Sequence, residues 1–379
     1  MHDVLVIGAG PAGSVAARGL SLAGLRVLMV DKARFPRRKV CGCCLNGNAL
    51  AALKSVGLGD IPAKLGAVPL TGFTTATAGR IATVPLKGVS LSREAFDMAL
   101  IEEAVKAGVE FREGFVFPSG GCKPAQDWTH SAGLHPPLGK ITVYANGLNG
   151  IPSTASKHSR LGAGTILNDA PAYYEPGRIF MAVGQGGYVG LVRLEDGRLD
   201  VAAAFDADFV RNCGGLGFAA ERVLKEAGFP CLAPLSLGGR GVGGEGDLNH
   251  HLLTPNPSPA RVEGDKMWKG TPALTRTPHS IAGPGWFAVG DAAGYVEPFT
   301  GEGMAWAICG AAAVVPFVLK NDPLGWIRAH RRLIGTRQRT CRGLARLLRS
   351  PSIYGWAVRG LKWFPALAQP VVRALNRKT

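Results

Sequence analysis

No stretch of the 379-residue sequence is both long and apolar enough to read as a membrane span: the longest run without a charged residue, Gly303 to Leu319, covers 17 residues and contains Pro316. It reads as a buried helix instead. The eight cysteines follow no regular spacing, which argues against a disulfide framework and makes a reducing cytoplasm the expected compartment. MHDVLVIGAG, the opening stretch, has neither a charged n-region nor a cleavage site, so it is not read as a signal peptide. Charged residues make up 18% against 46% hydrophobic ones, a balance that excludes a disordered chain. Acidic residues are missing altogether from Trp326 to Thr379, where thirteen Lys or Arg occur, so the rest of the chain carries only +3 of the formal +16. That asymmetry argues against a nucleic-acid binder with a basic face throughout. The basic residues alternate with Leu344, Leu347, Leu348, Trp356, Trp363 and Phe364, a mixture that suits a solvated helical face or an anionic membrane surface, on the inner side of the membrane, better than nucleic acid.

Glycine is what the sequence has in excess, with 53 residues, and its densest use follows the first apolar run. HDVLVIG predicts a strand, GAGPAG a turn, SVAARGLSLAG a helix ending at Gly24, and LRVLMVD a second strand. Gly8 permits the tight turn, Gly10 lets the backbone approach a pyrophosphate beside Ala12, and Gly13 packs helix on strand. Asp31 ends the second strand beside Lys32, placed to accept hydrogen bonds from a ribose. These elements in order predict a dinucleotide site, for which NAD and FAD both qualify. A helix follows at 92–107 with Ser92 as its N-cap. Alternation from Tyr173 to Phe205, with a hairpin turn at EDGR, predicts antiparallel sheet, and FAAERVLKEAG a further helix. Residues 118–139 and 247–262 read as surface insertions, and His250 with His251 has no third ligand at metal-binding spacing.

Near the other end, GWFAVGDAAG puts Gly290 and Asp291 after an apolar strand, and PFTGEGMAWA follows with Pro298, Gly301, Glu302, Gly303 and Met304. This pair resembles the late Gly-Asp motif and the Pro-x-x-Gly-x-Gly helix start of FAD enzymes of the glutathione-reductase and p-hydroxybenzoate-hydroxylase type. The resemblance implies that Asp291 meets the ribityl or pyrophosphate part of FAD and that the helix N-terminus, whose positive end favours anions, faces the flavin ring. Within that group the chain resembles the geranylgeranyl reductase family. Pro36, Lys39, Cys41 and Gly42 match its Lys-x-Cys-Gly loop, and Arg93 with Phe96 and Asp97 its R-x-x-F-D helix, whose arginine contacts the cofactor. Departures are visible as well: Ala145-Asn146-Gly147 replaces Ala-Asp-Gly, and only Tyr188 remains of the prenyl reductases' Tyr-x-Trp-x-Phe-Pro motif. The halogenase Trp-x-Trp-x-Ile-Pro motif is missing.

The implied fold is α/β: a Rossmann-type FAD-binding domain over 1–165 and 283–325 with an excursion near 66–90, an antiparallel β-sheet substrate domain over 166–282, and a basic helical tail over 326–379. Candidate catalytic groups are Cys44, Tyr188 and Glu297. For the cysteine loop, packing or cofactor contact competes with a proton-donor or redox role, and Cys44 is the preferred functional thiol. Glu297 is read as a general acid or as a loop-stabilising carboxylate. No second glycine fingerprint appears, so NAD(P)H or another reductant is expected to visit transiently. The expected activity is reduction or dehydrogenation of a lipid-like isoprenoid or polyketide. Hydroxylation of an aromatic or apolar substrate, and a flavin-containing nucleic-acid-modifying protein, stand as alternatives.

Overall fold

The computed structural model describes residues 1–116, 140–232, 267–297, 301–347 and 349–363. The expected insertions 118–139 and 247–262, with His250 and His251, and the motif proline Pro298 lie outside the described residues.

Short apolar strands without alternation are strands buried on both faces, and the first two, Val4–Ile7 and Val27–Val30, are such strands. They sit in a six-stranded sheet, parallel except at one edge, in the order Ala282–Gly283, Trp286–Ala288, Ile141–Tyr144, Val4–Ile7, Val27–Val30, Glu110–Arg112. Helix Pro11–Leu22 starts with proline at its first position, where a missing N–H costs nothing, and buries Val15, Ala16 and Leu20. Helices Arg93–Lys106 and Gly303–Leu319 contribute Leu100, Ile101, Ile308 and Val314 to the same core. Ser92 caps the former by accepting from the Ala95 amide at 3.2 Å. The 17-residue apolar run is thus an internal helix, and no described helix is long and apolar enough to cross a membrane.

The second sheet has eight strands in the order Lys269–Ala273, Leu161–Leu167, Leu199–Phe205, Gly187–Arg193, Arg178–Gly184, Val68–Thr77, Arg80–Ser90, Cys44–Asn46. It draws on the 66–90 excursion and also on Cys44–Asn46 and on Leu161–Leu167, a strand that begins before the 166–282 stretch. Its pairing is antiparallel except where Arg178–Gly184 runs parallel to Val68–Thr77. Alternation divides its faces. Phe180, Ala182, Val189, Leu191 and Val201 pack with helix Leu216–Ala227 on one side, and Met181, Val183, Tyr188 and Ala204 gather with Tyr354 and Val358 on the other.

The basic stretch from 326 onward does not begin as an appendage. Trp326 is fully buried and its indole donates to the Ala288 carbonyl at 3.1 Å. Within helix Pro351–Trp363, Tyr354 and Val358 are buried while Ile353 and Trp356 face outward. A boundary at 326 therefore marks a change in charge and not in packing.

Candidate active site

The three glycines of the first loop are held by different constraints. Gly8 adopts φ +104°, where a Cβ would lie 2.5 Å from the Ala145 carbonyl oxygen, and a Cβ on Gly13 would overlap the Gly8 carbonyl. Both positions are closed to any side chain by the fold itself. Gly10 faces space bounded by two guanidinium groups: a Cβ there would lie 3.5 Å from Arg37 Nη2 and 3.8 Å from Arg93 Nη2. Two cations at a helix N-terminus beside a bare backbone are an arrangement that can hold a diphosphate.

Asp31 is buried at the end of its strand, and its carboxylate accepts from the Ala9 amide at 2.8 Å and from the Ala33 amide at 2.9 Å. It fixes the glycine loop with the same oxygens that would meet a ribose. Arg37 bridges Asp31 and Asp97 at 3.6 and 3.7 Å, and Arg93 makes a two-pronged pair with buried Asp97 at 2.8 and 2.9 Å. Arg93 is thus anchored by Asp97, and its Nη2, one of the two paired nitrogens, also lies toward Gly10. Lys32 is exposed. Arg37 is the member of this group that sequence motifs did not single out.

The distant half of the fingerprint meets the first at Gly290. This residue takes φ +62°, and a Cβ on it would lie 2.7 Å from the Ala12 Cβ. Asp291 follows in the one-turn 3₁₀ helix Gly290–Ala293. Lys39 lies near enough to feel its charge: burial and then Arg93 push the ammonium below its ordinary range, and Asp291 pulls it back. Lys39 also approaches Gly147, where a Cβ would lie 3.8 Å from its Nζ. Gly301 has φ +66° with open space around it, and Gly303 begins the helix. Glu302 turns inward instead of toward that space: it is buried and accepts from Asn46 Nδ2 at 2.7 Å and Asn48 Nδ2 at 3.3 Å, and burial raises its carboxyl. Its position supports an anchor between the helix start and the cysteine loop more than a direct contact. Met304 is buried in the core.

The cysteine loop leads into the edge strand Cys44–Asn46. Cys41 is partly exposed, Cys43 is buried with φ +47°, and Cys44 is partly exposed beside Ser90 in the sheet register. A hydrogen bond from the Cys43 thiol, reinforced by Arg93, lowers Cys41, whereas burial raises Cys44. The three thiols therefore differ in kind, with Cys44 held as a neutral donor. Gly42 is exposed, with no atom within 4 Å of a Cβ placed there.

Tyr188 and Glu297 come together on the inner face of the eight-stranded sheet. Glu297 is 2% exposed, with Arg160 Nη1 at 3.2 Å from Oε1 and Arg349 Nη2 at 3.6 Å from Oε2. Arg160 is itself fully buried and sits over the Tyr188 ring at 5.6 Å. Burial raises both the Glu297 carboxyl and the Tyr188 phenol, and Glu297 adds to the rise of the phenol. Arg160 and Arg349 carried no sequence signal, since neither lies in a motif. Buried Asp200 did have one, as a lone acid in the otherwise apolar strand Leu199–Phe205. Among the described residues no cluster of three or more His, Cys, Asp or Glu could hold a metal.

With this geometry in place, residues 1–117 match the FAD binding domain family, which identifies the dinucleotide site as one for FAD. A 57-residue stretch is 54% identical to menaquinone reductase of Mycobacterium tuberculosis (strain ATCC 25618 / H37Rv), covering 15% of this chain and 14% of that protein's length. Digeranylgeranylglycerophospholipid reductase 2 of Methanopyrus kandleri is 25% identical over 334 residues, 82% of this chain and 75% of that one. The fold is shared with the flavin-dependent brominase Bmp2 (TM-score 0.71, 18% identity, 99% and 93% of the two chains). It is shared also with Pseudomonas aeruginosa PqsL solved with 2-aminobenzoylacetate (TM-score 0.64, 16% identity, 94% and 99%). The architecture is that of FAD-dependent oxidoreductases and monooxygenases.

Proposed function

We propose that the chain is an FAD-dependent reductase of a carbon–carbon double bond in an apolar, isoprenoid-like substrate lying over the inner face of the eight-stranded sheet. The observation that carries this reading is the buried Tyr188–Glu297–Arg160 group. It places a carboxyl whose proton affinity burial raises inside an apolar wall of Met181, Val183, Ala204 and Leu274. When bound, FAD supplies a hydride at N5 to one alkene carbon. The loop Gly8–Gly13 with Arg37 and Arg93 binds the diphosphate, Asp31 fixes the loop, and Asp291 and the helix start at Gly301–Gly303 orient the remainder. Glu297 or the neutral Cys44 thiol delivers the proton to the second carbon. The named activities of the menaquinone and digeranylgeranylglycerophospholipid reductases support an isoprenoid substrate. NAD(P)H or another transient donor would reload the cofactor, and the basic C-terminal stretch would bring the protein to anionic membrane surfaces where such substrates reside.

The fold shared with a brominase and with PqsL supports hydroxylation of an aromatic or apolar substrate as a second reading. The holoenzyme, reduced without oxygen, is mixed either with a polyprenyl substrate or with oxygen and a phenol. Reoxidation by the alkene with a product two hydrogens heavier supports reduction. An oxygen-dependent product bearing a new hydroxyl replaces it with the second reading. Glu297→Gln is expected to slow the alkene step on the order of 10²-fold while leaving FAD bound; an unchanged rate removes Glu297 as the acid.

A further inference from the structure

We propose that Arg349, from the basic C-terminal stretch, is a positioning residue for the Glu297 carboxyl: it takes the oxygen that Arg160 does not, and with Asp206 it closes a ring of two guanidinium and two carboxyl groups. This role rests on the reading of Glu297 as a proton donor, and it adds a group from a part of the chain that no motif reaches.

The fold assembles the ring from three directions. Leu161 and Phe205 face each other in the sheet register, so Arg160 and Asp206 extend the two strands side by side. Glu297 arrives from beyond the Asp291 turn, with its amide donating to Thr275 Oγ1 at 3.2 Å. Arg349 arrives two residues before helix Pro351–Trp363, and its Nη2 also donates to the His158 carbonyl. Arg160 Nη1 lies 3.2 Å from Glu297 Oε1 and Arg349 Nη2 lies 3.6 Å from Oε2, one cation for each oxygen. Asp206 Oδ1 lies 3.4 Å from both Arg160 Nε and Arg349 Nη1. Arg160 and Glu297 are buried, whereas Arg349 and Asp206 are partly exposed, so the ring runs from the interior to the surface.

Charge counting gives Arg349 its role. With both guanidinium groups in place, two positive charges meet two carboxylates, and the ring is neutral while Glu297 is ionised. Without Arg349, Arg160 alone serves two carboxylates, and the ring is neutral only if one of them takes a proton. Glu297 is the one disposed to take it, because burial already raises its proton affinity. Arg160 and Arg349 pull that affinity back down, and Asp206 pushes it up. A proton donor works best when its affinity lies near the working pH, so the second cation keeps Glu297 from holding its proton too tightly to release it. The phenols of Tyr188 and Tyr295 are the other titratable groups close to Glu297 among the described residues; burial keeps both protonated, and they add no charge to this balance. Merely fastening the C-terminal helix would not require Glu297, since Asp206 and the His158 carbonyl already hold Arg349.

The test reads the proton directly in the full-length holoenzyme. The infrared carbonyl band of protonated Glu297, assigned by its loss in Glu297→Gln, is followed against pH. Arg349→Gln is expected to move its midpoint upward by about one pH unit, a tenfold change in proton affinity. Arg349→Lys, which keeps the charge, is expected to move it by a smaller amount. A midpoint that does not rise in Arg349→Gln, or that rises as far in Arg349→Lys, overturns the role. Should Arg349→Gln release the C-terminal helix and misfold, Asp206→Asn supplies the opposite sign: it removes a negative charge and leaves Arg349 to Glu297, so the midpoint is expected to fall, and a rise or no change overturns the role. Turnover is read separately. If the infrared midpoints move as expected while the pH profile of the alkene step does not follow them, Glu297 is not the donor, and its positioning by Arg349 stands.

Discussion

At the dinucleotide loop the main chain dictates the residue type, whereas on the sheet face side chains drawn from four separated stretches dictate one another. Gly8 and Gly13 have no room for a Cβ, and Asp31 spends both oxygens on backbone amides. Nothing comparable restricts the backbone at Arg160, Tyr188, Glu297 and Arg349; there the constraint is that a buried carboxylate needs a cation and a buried cation needs a carboxylate. A backbone-set site tolerates no change at its closed positions and some change at its open one. A site set by side chains tolerates paired changes and not single ones.

The largest effect separates the glycines. Gly13→Ala forces a methyl into the Gly8 carbonyl and is expected to cost more than about 4 kcal/mol, beyond the usual range for point changes. Gly10→Ala meets only ordinary contacts with Arg37 and Arg93, so its circular dichroism should be unchanged while the visible absorbance of bound flavin is lost or weakened. If both variants unfold alike, the division between fold glycine and ligand glycine fails.

On the sheet face, Arg160→Met leaves Glu297 buried with only the more distant Arg349, and urea denaturation should register a loss of about 3–5 kcal/mol. The double variant Arg160→Met with Glu297→Met should recover most of it, because no uncompensated charge remains. A double variant as unstable as the single one would place the effect in packing against Tyr188.

This contrast explains what was legible in the sequence. The glycine loop, the Asp291 turn and the Ser92 cap follow from local rules with fixed spacing, and so could be read residue by residue. Tyr188 and Glu297 could be named, but not their meeting through Arg160, since ion pairs between residues 137 apart leave no period or spacing behind. The motif at the helix start points Glu302 to the cofactor; the amides of Asn46 and Asn48, more than 250 residues away, draw it inward. Charge composition changes at Trp326 and suggests a tail there, but composition does not report which face of a helix is covered.

The start of that basic stretch offers a sharper version of the comparison, a single buried titratable group without a counter-charge among the described residues. His330 packs edge-on against Trp326 with ring centroids 5.4 Å apart, and burial lowers its pKa to about 4. The folded state therefore resists a proton that the unfolded chain accepts below about 6.5. Stability should be flat above about pH 6.5, decline by at most about 3 kcal/mol toward pH 4, and level off below that. His330→Phe should remove this portion of the decline. Identical pH profiles for the two proteins would show that the ring gains water or a partner in solution.

The smallest effect concerns how the last described helix is held to the sheet. Tyr354 reaches across to Thr75, with 2.7 Å between the hydroxyl oxygens, and burial pushes its phenol up to about 12. The Thr75 hydroxyl donates to the Met181 carbonyl at 3.1 Å, so the phenol is the donor to Thr75. Tyr354→Phe removes that donor without stranding Thr75, which keeps its own acceptor, and the ring stays packed with Val358 against Met181 and Val183. The expected loss is about 1 kcal/mol, the net contribution of one buried hydrogen bond, read as a small shift in the urea midpoint at constant slope. Val358→Ala, which empties a fully buried site, should cost more. If Tyr354→Phe costs as much as Val358→Ala, the helix is held by the polar bond and not by its apolar face, and the inner wall of the sheet obeys the same side-chain pairing as Glu297 and Arg160.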